Sequence, residues 1–352
     1  MIETIASPRI TLSNGYSFSR VINGCWQLSE GHSLSGALDM DDVMRAFHML
    51  YERGFTTFDC ADIYTGAEDF IGRFVGELKA MGGYSHDCLQ IHTKYVPDLD
   101  RLETVSFQDT QHIIDRSLTR LNRDCLDLVQ FHWWDYDVPR CLEVAGHLER
   151  LRQAGKIRRI GVTNFDTQHL AELVDAGIPV ASIQAQYSMF DRRVERGQLE
   201  YCREHDIAMF CYGTLSGGFL SERYLGQADF TPQTRSQVKY MQVIEDSLGL
   251  EGMQALLKLL KQIADGHGAS VSNVATRYIL QQPGVAAAIV GVRNSRHVAD
   301  NDRLFSFELD ESELGAIRAL LDRYPVLPGE PYTLERTSPR YRGIIKMKLN
   351  GE

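Results

Sequence analysis

The chain has no apolar run approaching the ~20 residues of a membrane-spanning helix. It also has no basic excess: 37 Lys and Arg stand against 47 Asp and Glu, a formal net charge of -10 over 352 residues. The first absence speaks against a helical membrane span. The second argues against a nucleic-acid surface, which needs a basic face. Cysteine is scarce and scattered. The seven, Cys25, Cys60, Cys88, Cys125, Cys141, Cys202 and Cys211, are odd in number and include no Cys-x-x-Cys pair. Reduced thiols, most of them small buried hydrophobes, and a cytoplasmic setting are therefore expected. Met1 to Pro8 lacks the basic start and apolar core of a secretory signal. No His-Glu or Cys-His cluster has zinc-ligand spacing, so no metal site is expected. Neither a low-complexity linker nor a domain boundary is found, so 1–352 reads as one domain.

What is present is ordinary in bulk and regular in order. An apolar fraction of 43% and a charged fraction of 24% are those of a globular protein. Ile10-Thr11-Leu12 and Tyr16-Ser17-Phe18 flank Ser13-Asn14-Gly15, and Asn-Gly between two such runs signals a two-residue hairpin loop. Strand-like and helix-like segments then alternate. Predicted strands cover 21–24, 55–59, 88–93, 126–131, 157–163, 180–186, 207–212 and 285–290. Helices are expected at 67–79, 109–121, 140–153, 167–176, 194–204 and 253–266, with others opening at Asp41 and about Ser295. Eight such units predict a closed (β/α)8 TIM barrel, with the hairpin closing its bottom. A doubly wound open sheet is the alternative, weakened because no Gly-rich dinucleotide fingerprint follows the first strand. Two stretches break the rhythm. One is the long connection 213–252, of a length usually functional or mobile. The other is a tail, 324–352, that carries Pro325, Pro328, Pro331 and Pro339 and no clear helical period.

Four residue types recur where a carbonyl-reducing site would need them. Asp59 ends the second barrel strand, Lys94 the third and His132 the fourth, and Tyr64 follows Asp59 in a loop. Groups at the C-terminal ends of barrel strands converge. A free Tyr, with a pKa of about 10, is a poor acid at neutral pH. A neighbouring Lys94 ammonium, oriented by Asp59, would lower that value, and His132 would donate a hydrogen bond to the carbonyl oxygen. Taken singly, each has a plainer reading: a strand-end cap, a packed aromatic, a solvated lysine, a core histidine. All three tryptophans, Trp26, Trp133 and Trp134, follow predicted strands. An aromatic substrate wall is expected from Trp26 and Trp133, with weaker candidates in Tyr95 and the tail around Tyr332.

Phe58-Asp59-Cys60-Ala61-Asp62-Ile63-Tyr64 resembles the Asp-Thr-Ala-x-x-Tyr signature of the aldo-keto reductases, with Cys60 in place of Thr. The order and spacing of Asp59, Tyr64, Lys94 and His132 match that family's catalytic tetrad. The resemblance runs from about Val21 to Phe307 and implies an NADPH-dependent reductase of an aldehyde or ketone, with NADH the less favoured cofactor. Gly161-Val162-Thr163-Asn164 is similar to the family's Gly-x-Ser-Asn, so Thr163, Asn164 and Gln184 would hold the nicotinamide carboxamide, and Tyr212 would stack beneath the ring. Gly213-Thr214-Leu215-Ser216-Gly217-Gly218 resembles the family's Ser-Pro-Leu-Gly loop at the pyrophosphate. That implies cofactor contacts at Gly213, Leu215, Gly217 and Gly218. Gly213 and Thr214 depart from the pattern and remove one hydroxyl and one proline. Gly24, Cys25 and Trp26 would also face the cofactor. At the adenosine end, Asp300 and Asn301 fall where an acidic residue and Asn contact adenine, and His297 stands where Arg or Gln is common. Arg293 or Arg296 would serve a 2′-phosphate. The resemblance also admits a second reading, a cofactor-binding subunit of a larger assembly with vestigial catalysis. A third, an unrelated barrel lyase or isomerase, needs the cofactor matches to be accidental. Substrate identity and oligomeric state are left open.

Overall fold

Strands β1 (Arg9–Thr11) and β2 (Ser17–Ser19) pair antiparallel, with Arg9 opposite Ser19 and Thr11 opposite Ser17. The pairing leaves Ser13, Asn14 and Gly15 as a three-residue loop instead of the expected two. Gly15 N–H donates to Leu12 O, Leu12 N–H donates to Tyr16 O, and Gly15 sits at φ +80°. This is the turn-plus-left-handed-residue solution that a Gly in third position permits. In the computed structural model the described residues are 8–29, 38–82 and 84–343, the side chain of His297 apart; the last part of the expected tail, 344–352, lies outside them.

Eight parallel strands follow: β3 (Val21–Gly24), β4 (Thr57–Asp59), β5 (Gln90–Tyr95), β6 (Leu128–Phe131), β7 (Ile160–Thr163), β8 (Val180–Gln186), β9 (Ala208–Tyr212) and β10 (Val285–Gly291). They hydrogen-bond in chain order, and β10 closes on β3. The architecture is the expected (β/α)8 barrel. Several strands begin one to three residues later than the apolar runs suggest, because the leading residues, such as Phe55 and Leu126, are buried before the ladder starts.

The hairpin plugs the bottom of the barrel. Tyr16 and Phe18 pack with Ile22, Leu128, Ala208, Phe210, Ala286 and Ala287, and Tyr16 Oη lies 2.6 Å from His92 Nε2 inside the barrel. Outside, Phe47 meets Phe58, Phe70 and Phe74 at centroid distances of 4.6, 5.3 and 5.4 Å. Each such buried ring contributes about 1.5–3 kcal/mol relative to exposure. Helix Ala67–Met81 reaches the following helix so closely that a Cβ on Gly72 would lie 1.8 Å from Arg120 O.

Several helices were not anticipated. Val271–Leu280 is opened by a Ser270/Asn273 capping box, and Glu311–Leu321 by an Asp310/Glu313 box. The expected helix 194–204 is broken, because Gly197 at φ +113° separates a 3-10 turn, Arg193–Glu195, from helix Gln198–Glu204. In the long connection, Thr234 caps helix Arg235–Asp246. The tail forms two short helices, Thr333–Thr337 and Pro339–Arg342. None of the described helices is long and apolar enough to cross a membrane.

Candidate active site

A cavity of about 430 Å³ opens at the C-terminal ends of the strands. Asp59, Tyr64, Lys94 and His132 all border it. Lys94 Nζ donates to Asp59 Oδ2 at 2.7 Å and to Cys60 O at 2.8 Å. The same ammonium stands 4.9 Å from the centroid of the Tyr64 ring. Asp59 Oδ1 accepts from Gln130 Nε2 at 2.8 Å and from Gln184 Nε2 at 2.7 Å. Burial would discharge Lys94, but Asp59 and Tyr64 outweigh it and hold the ammonium charged.

Two electrostatic expectations need correction. Burial pushes the Tyr64 phenol up to about 12, and Lys94 pulls back only part of that rise. Tyr64 is therefore protonated near neutrality, not tuned down toward it. His132 is held down to about 3 by burial, then by the Arg336 and Lys94 charges, so it is neutral. Its Nδ1 lies 3.0 Å from Thr163 O. A carbonyl oxygen can only accept, so the proton of the neutral ring sits on Nδ1 and Nε2 is an acceptor. Nε2 is buried without a protein partner. A hydrogen bond donated by His132 Nε2 to a carbonyl would need either the imidazolium that its surroundings oppose or the other neutral tautomer, at the cost of the bond to Thr163 O.

The remaining wall divides in two. Gly24, Trp26, Thr163, Asn164, Gln184, Tyr212, Gly213, Leu215, Gly217, Gly218 and Arg293 border the cavity as expected. Tyr212 Oη donates to Asn164 Oδ1 at 2.8 Å, and Asn164 takes a left-handed φ of +62°. The cavity suits an extended ligand rich in oxygens. Gly213 and Gly217 have φ of +74° and +69°, and the hydroxyls of Thr214 and Ser216 are buried without partners. These features fit a dinucleotide backbone along residues 213–218.

Residues 20–322 match the aldo/keto reductase family. The chain belongs to that family. It is 28% identical over 317 residues to aldo-keto reductase YhdN of Bacillus subtilis, covering 88% of this chain and 91% of the relative. It is 28% identical over 308 residues to the chloroplastic pyridoxal reductase of Arabidopsis thaliana, covering 82% and 80%. The solved glycerol dehydrogenase of Gluconobacter oxydans superposes with a TM-score of 0.76 at 26% identity, covering 93% of this chain and 98% of that one.

Within this aldo/keto reductase three residues expected at strand ends do not reach the cavity. Trp133 is fully buried and donates its indole N–H to Val138 O at 3.2 Å. Tyr95 is 1% exposed and its hydroxyl meets Thr110 Oγ1 at 3.0 Å. Cys25 is fully buried with Sγ 3.7 Å from Asn23 O. One rule explains all three, since successive residues at a strand end face opposite ways. Lys94, His132, Gly24 and Trp26 take the inward positions, so Tyr95, Trp133 and Cys25 point out. Trp134, two residues past His132, takes the wall position, 4.3 Å from the His132 ring and edge-on. At the other end Asp300 and Asn301 stand on helix Val298–Arg303 away from the cavity lining, where Asp300 O accepts from Asn273 Nδ2 at 2.9 Å. Arg296 is exposed, and the His297 side chain lies outside the described residues.

The site also gains residues that were not singled out. Helix Arg235–Asp246 brings Arg235, Ser236, Lys239 and Tyr240 to the outer wall. Trp26 Nε1 donates to Ser236 Oγ at 3.2 Å, joining the two rims. Tyr332, one of the weaker wall candidates of the sequence, lies edge-on to His132 at 5.3 Å with a left-handed φ of +66°. Its segment is pinned by ion pairs. Glu335 meets Arg193 at 3.2 Å and Lys239 at 3.4 Å, while Arg193 also pairs with Asp191 at 2.7 Å. Arg336 donates to Trp133 O at 2.8 Å and Asn164 O at 2.9 Å. Among the described residues no three His, Cys, Asp or Glu side chains gather as a metal site.

Proposed function

We propose that this protein reduces an aldehyde or ketone to the alcohol with NADPH, using Tyr64 as proton donor. The observation that carries the reading is Lys94 Nζ, held 2.7 Å from Asp59 Oδ2 and 4.9 Å from the Tyr64 ring at the cavity wall. Thr163, Asn164, Gln184 and Tyr212 would hold a reduced nicotinamide, which when bound would supply hydride to the carbonyl carbon. Tyr64 gives its proton to the carbonyl oxygen, and the C=O π pair becomes the O–H bond. The Lys94 ammonium stabilises the phenolate left behind, and Asp59 keeps that ammonium charged and in place.

His132 takes a different part from the one first expected. With its proton on Nδ1, its Nε2 accepts from the alcohol hydroxyl once Tyr64 has delivered its proton. Its ring, wedged between Trp134 and Tyr332, also fixes the substrate's position. The apolar wall of Trp26, Ile63, Val96, Trp134 and Tyr332 suits a small carbonyl compound with a flat or apolar body. Arg293, exposed and bordering the cavity, favours the 2′-phosphate of NADPH over NADH.

The test is fluorescence titration with NADPH and NADH, beside turnover on a panel of aldehydes and ketones, for the wild type and Tyr64→Phe. The reading expects tight NADPH binding in both proteins and turnover lost only in the variant. Absence of nucleotide binding overturns it, and binding without any carbonyl turnover turns it into a cofactor-binding role.

A further inference from the structure

Gly213 stands where the family resemblance puts a serine, so the loop lacks a hydroxyl. The space that hydroxyl would use is filled from another element. A Cβ built on Gly213 would lie 2.1 Å from Tyr240 Oη and 2.8 Å from Tyr240 Cζ. The phenol oxygen of Tyr240 thus occupies the volume into which a side chain at 213 would grow. The same ring lies over the next glycine of the turn, with Cδ2 3.1 Å from a Cβ on Gly217. Gln237 Nε2, one helical turn earlier, donates to Gly217 O at 3.3 Å and docks the helix on the loop.

The hydroxyl has work available and none assigned within the protein. Tyr240 is 6% exposed and borders the cavity, yet its Oη has no hydrogen-bond partner among the described residues. The phenolic O–H opens on the cavity, where a bound ligand and not the protein can pair it. Its place is preset, because Thr234 caps the helix and Ser236 ties it to Trp26.

We propose that Tyr240 Oη is a cofactor-binding donor to an oxygen of the dinucleotide's ribose–pyrophosphate backbone, supplying from helix Arg235–Asp246 the hydroxyl that Gly213 lacks. Gly213 and Tyr240 then form one exchange: the glycine makes room, and the tyrosine fills it with an equivalent group. Burial raises the phenol further above its ordinary value, so it is a neutral donor and not an anion facing phosphate. This inference rests on the reading that a nicotinamide dinucleotide occupies the cavity.

Tyr240→Phe removes only the oxygen and keeps the ring over both glycines. Titration of the full-length protein with NADPH, followed by protein fluorescence, should show about tenfold weaker binding in the variant. The melting temperature without nucleotide should be unchanged, and the KM for NADPH should rise while kcat holds. Binding within twofold of the wild type overturns the proposal. Loss of affinity together with a lower nucleotide-free melting temperature also overturns it, in favour of a packing role. A wild type that binds no nicotinamide nucleotide removes the underlying functional reading, whereas a wild type that binds and a variant that binds equally removes this inference alone.

Discussion

Gln184 Nε2 donates to Asp59 Oδ1 at 2.7 Å, linking a residue expected at the nicotinamide to the carboxylate that holds Lys94. A carboxylate only accepts, so the orientation of the Gln184 amide is fixed and Oε1 is left for a carboxamide N–H. Gln184→Leu should weaken NADPH binding about tenfold and lower stability by about 1.5–3 kcal/mol, the worth of a hydrogen bond to a charged group. Paired fluorescence titration and thermal melting measure both; unchanged affinity would detach Gln184 from the cofactor.

Lys94→Met should lower the rate of carbonyl reduction by ~10²–10⁴-fold, because it removes the cation that stabilises the Tyr64 phenolate. The sign of the pH dependence follows. On the proposed mechanism reduction uses protonated Tyr64, which burial pushes up to about 12, so the wild-type rate should be level from about pH 6 to 10 and fall above that. Alcohol oxidation uses the phenolate and should rise with pH over the same range. His132, held near 3, contributes no limb above about pH 4. A wild-type reduction rate that falls between pH 6 and 8 would contradict this assignment.

The barrel, its closure by the hairpin and the three strand-end residues Asp59, Lys94 and His132 were legible because each rests on a local period. A buried strand reads as a short apolar run, and the next turn carries the polar residue to the barrel's top. The misplaced residues were legible too, had the alternation been carried past the strand. Lys94 inward requires Tyr95 outward, and His132 inward requires Trp134, not Trp133, at the wall. Tyr240 and Lys239 carried no such signal, and Tyr332 was legible only as an aromatic in the tail. They come from segments whose position is set by long-range ion pairs, such as Glu335 with Arg193, that no local period encodes.

Glu335 predicts how the tail responds to acid. Burial alone would raise its pKa, but Lys239 and Arg193 outweigh burial and bring it down to about 2. A carboxylate with a depressed folded pKa stabilises above its unfolded value and loses that contribution as pH falls. The tail's docking should hold above about pH 4.5 and weaken progressively toward pH 2. Glu335→Gln leaves Arg193 and Lys239 undercompensated in a buried place and should cost about 3 kcal/mol at pH 7. Urea unfolding of both proteins across this pH range gives the comparison; equal acid sensitivity would remove Glu335 as the cause.

Gly72→Ala tests the outer layer independently of the site. The added methyl would meet Arg120 O at 1.8 Å, backbone against side chain. Helices Ala67–Met81 and Phe107–Arg120 must then move apart, at a cost of roughly 3 kcal/mol or more. Denaturant melts would register it, and a loss under 1 kcal/mol would show that the two helices tolerate separation.

The hairpin makes the barrel a vessel with one opening. On the proposed mechanism each reduction strips a proton from Tyr64, and that proton must be replaced before the next. Below, at the plug, stand His92, held neutral at about 4, and Tyr16, a phenol raised well above its ordinary value. Neither hands over a proton near neutrality. Resupply therefore comes down the same mouth that admits substrate, past Tyr332 and the Glu335-anchored segment. The piece of chain that walls the substrate cavity at Tyr332 would then also flank the route by which the acid is recharged.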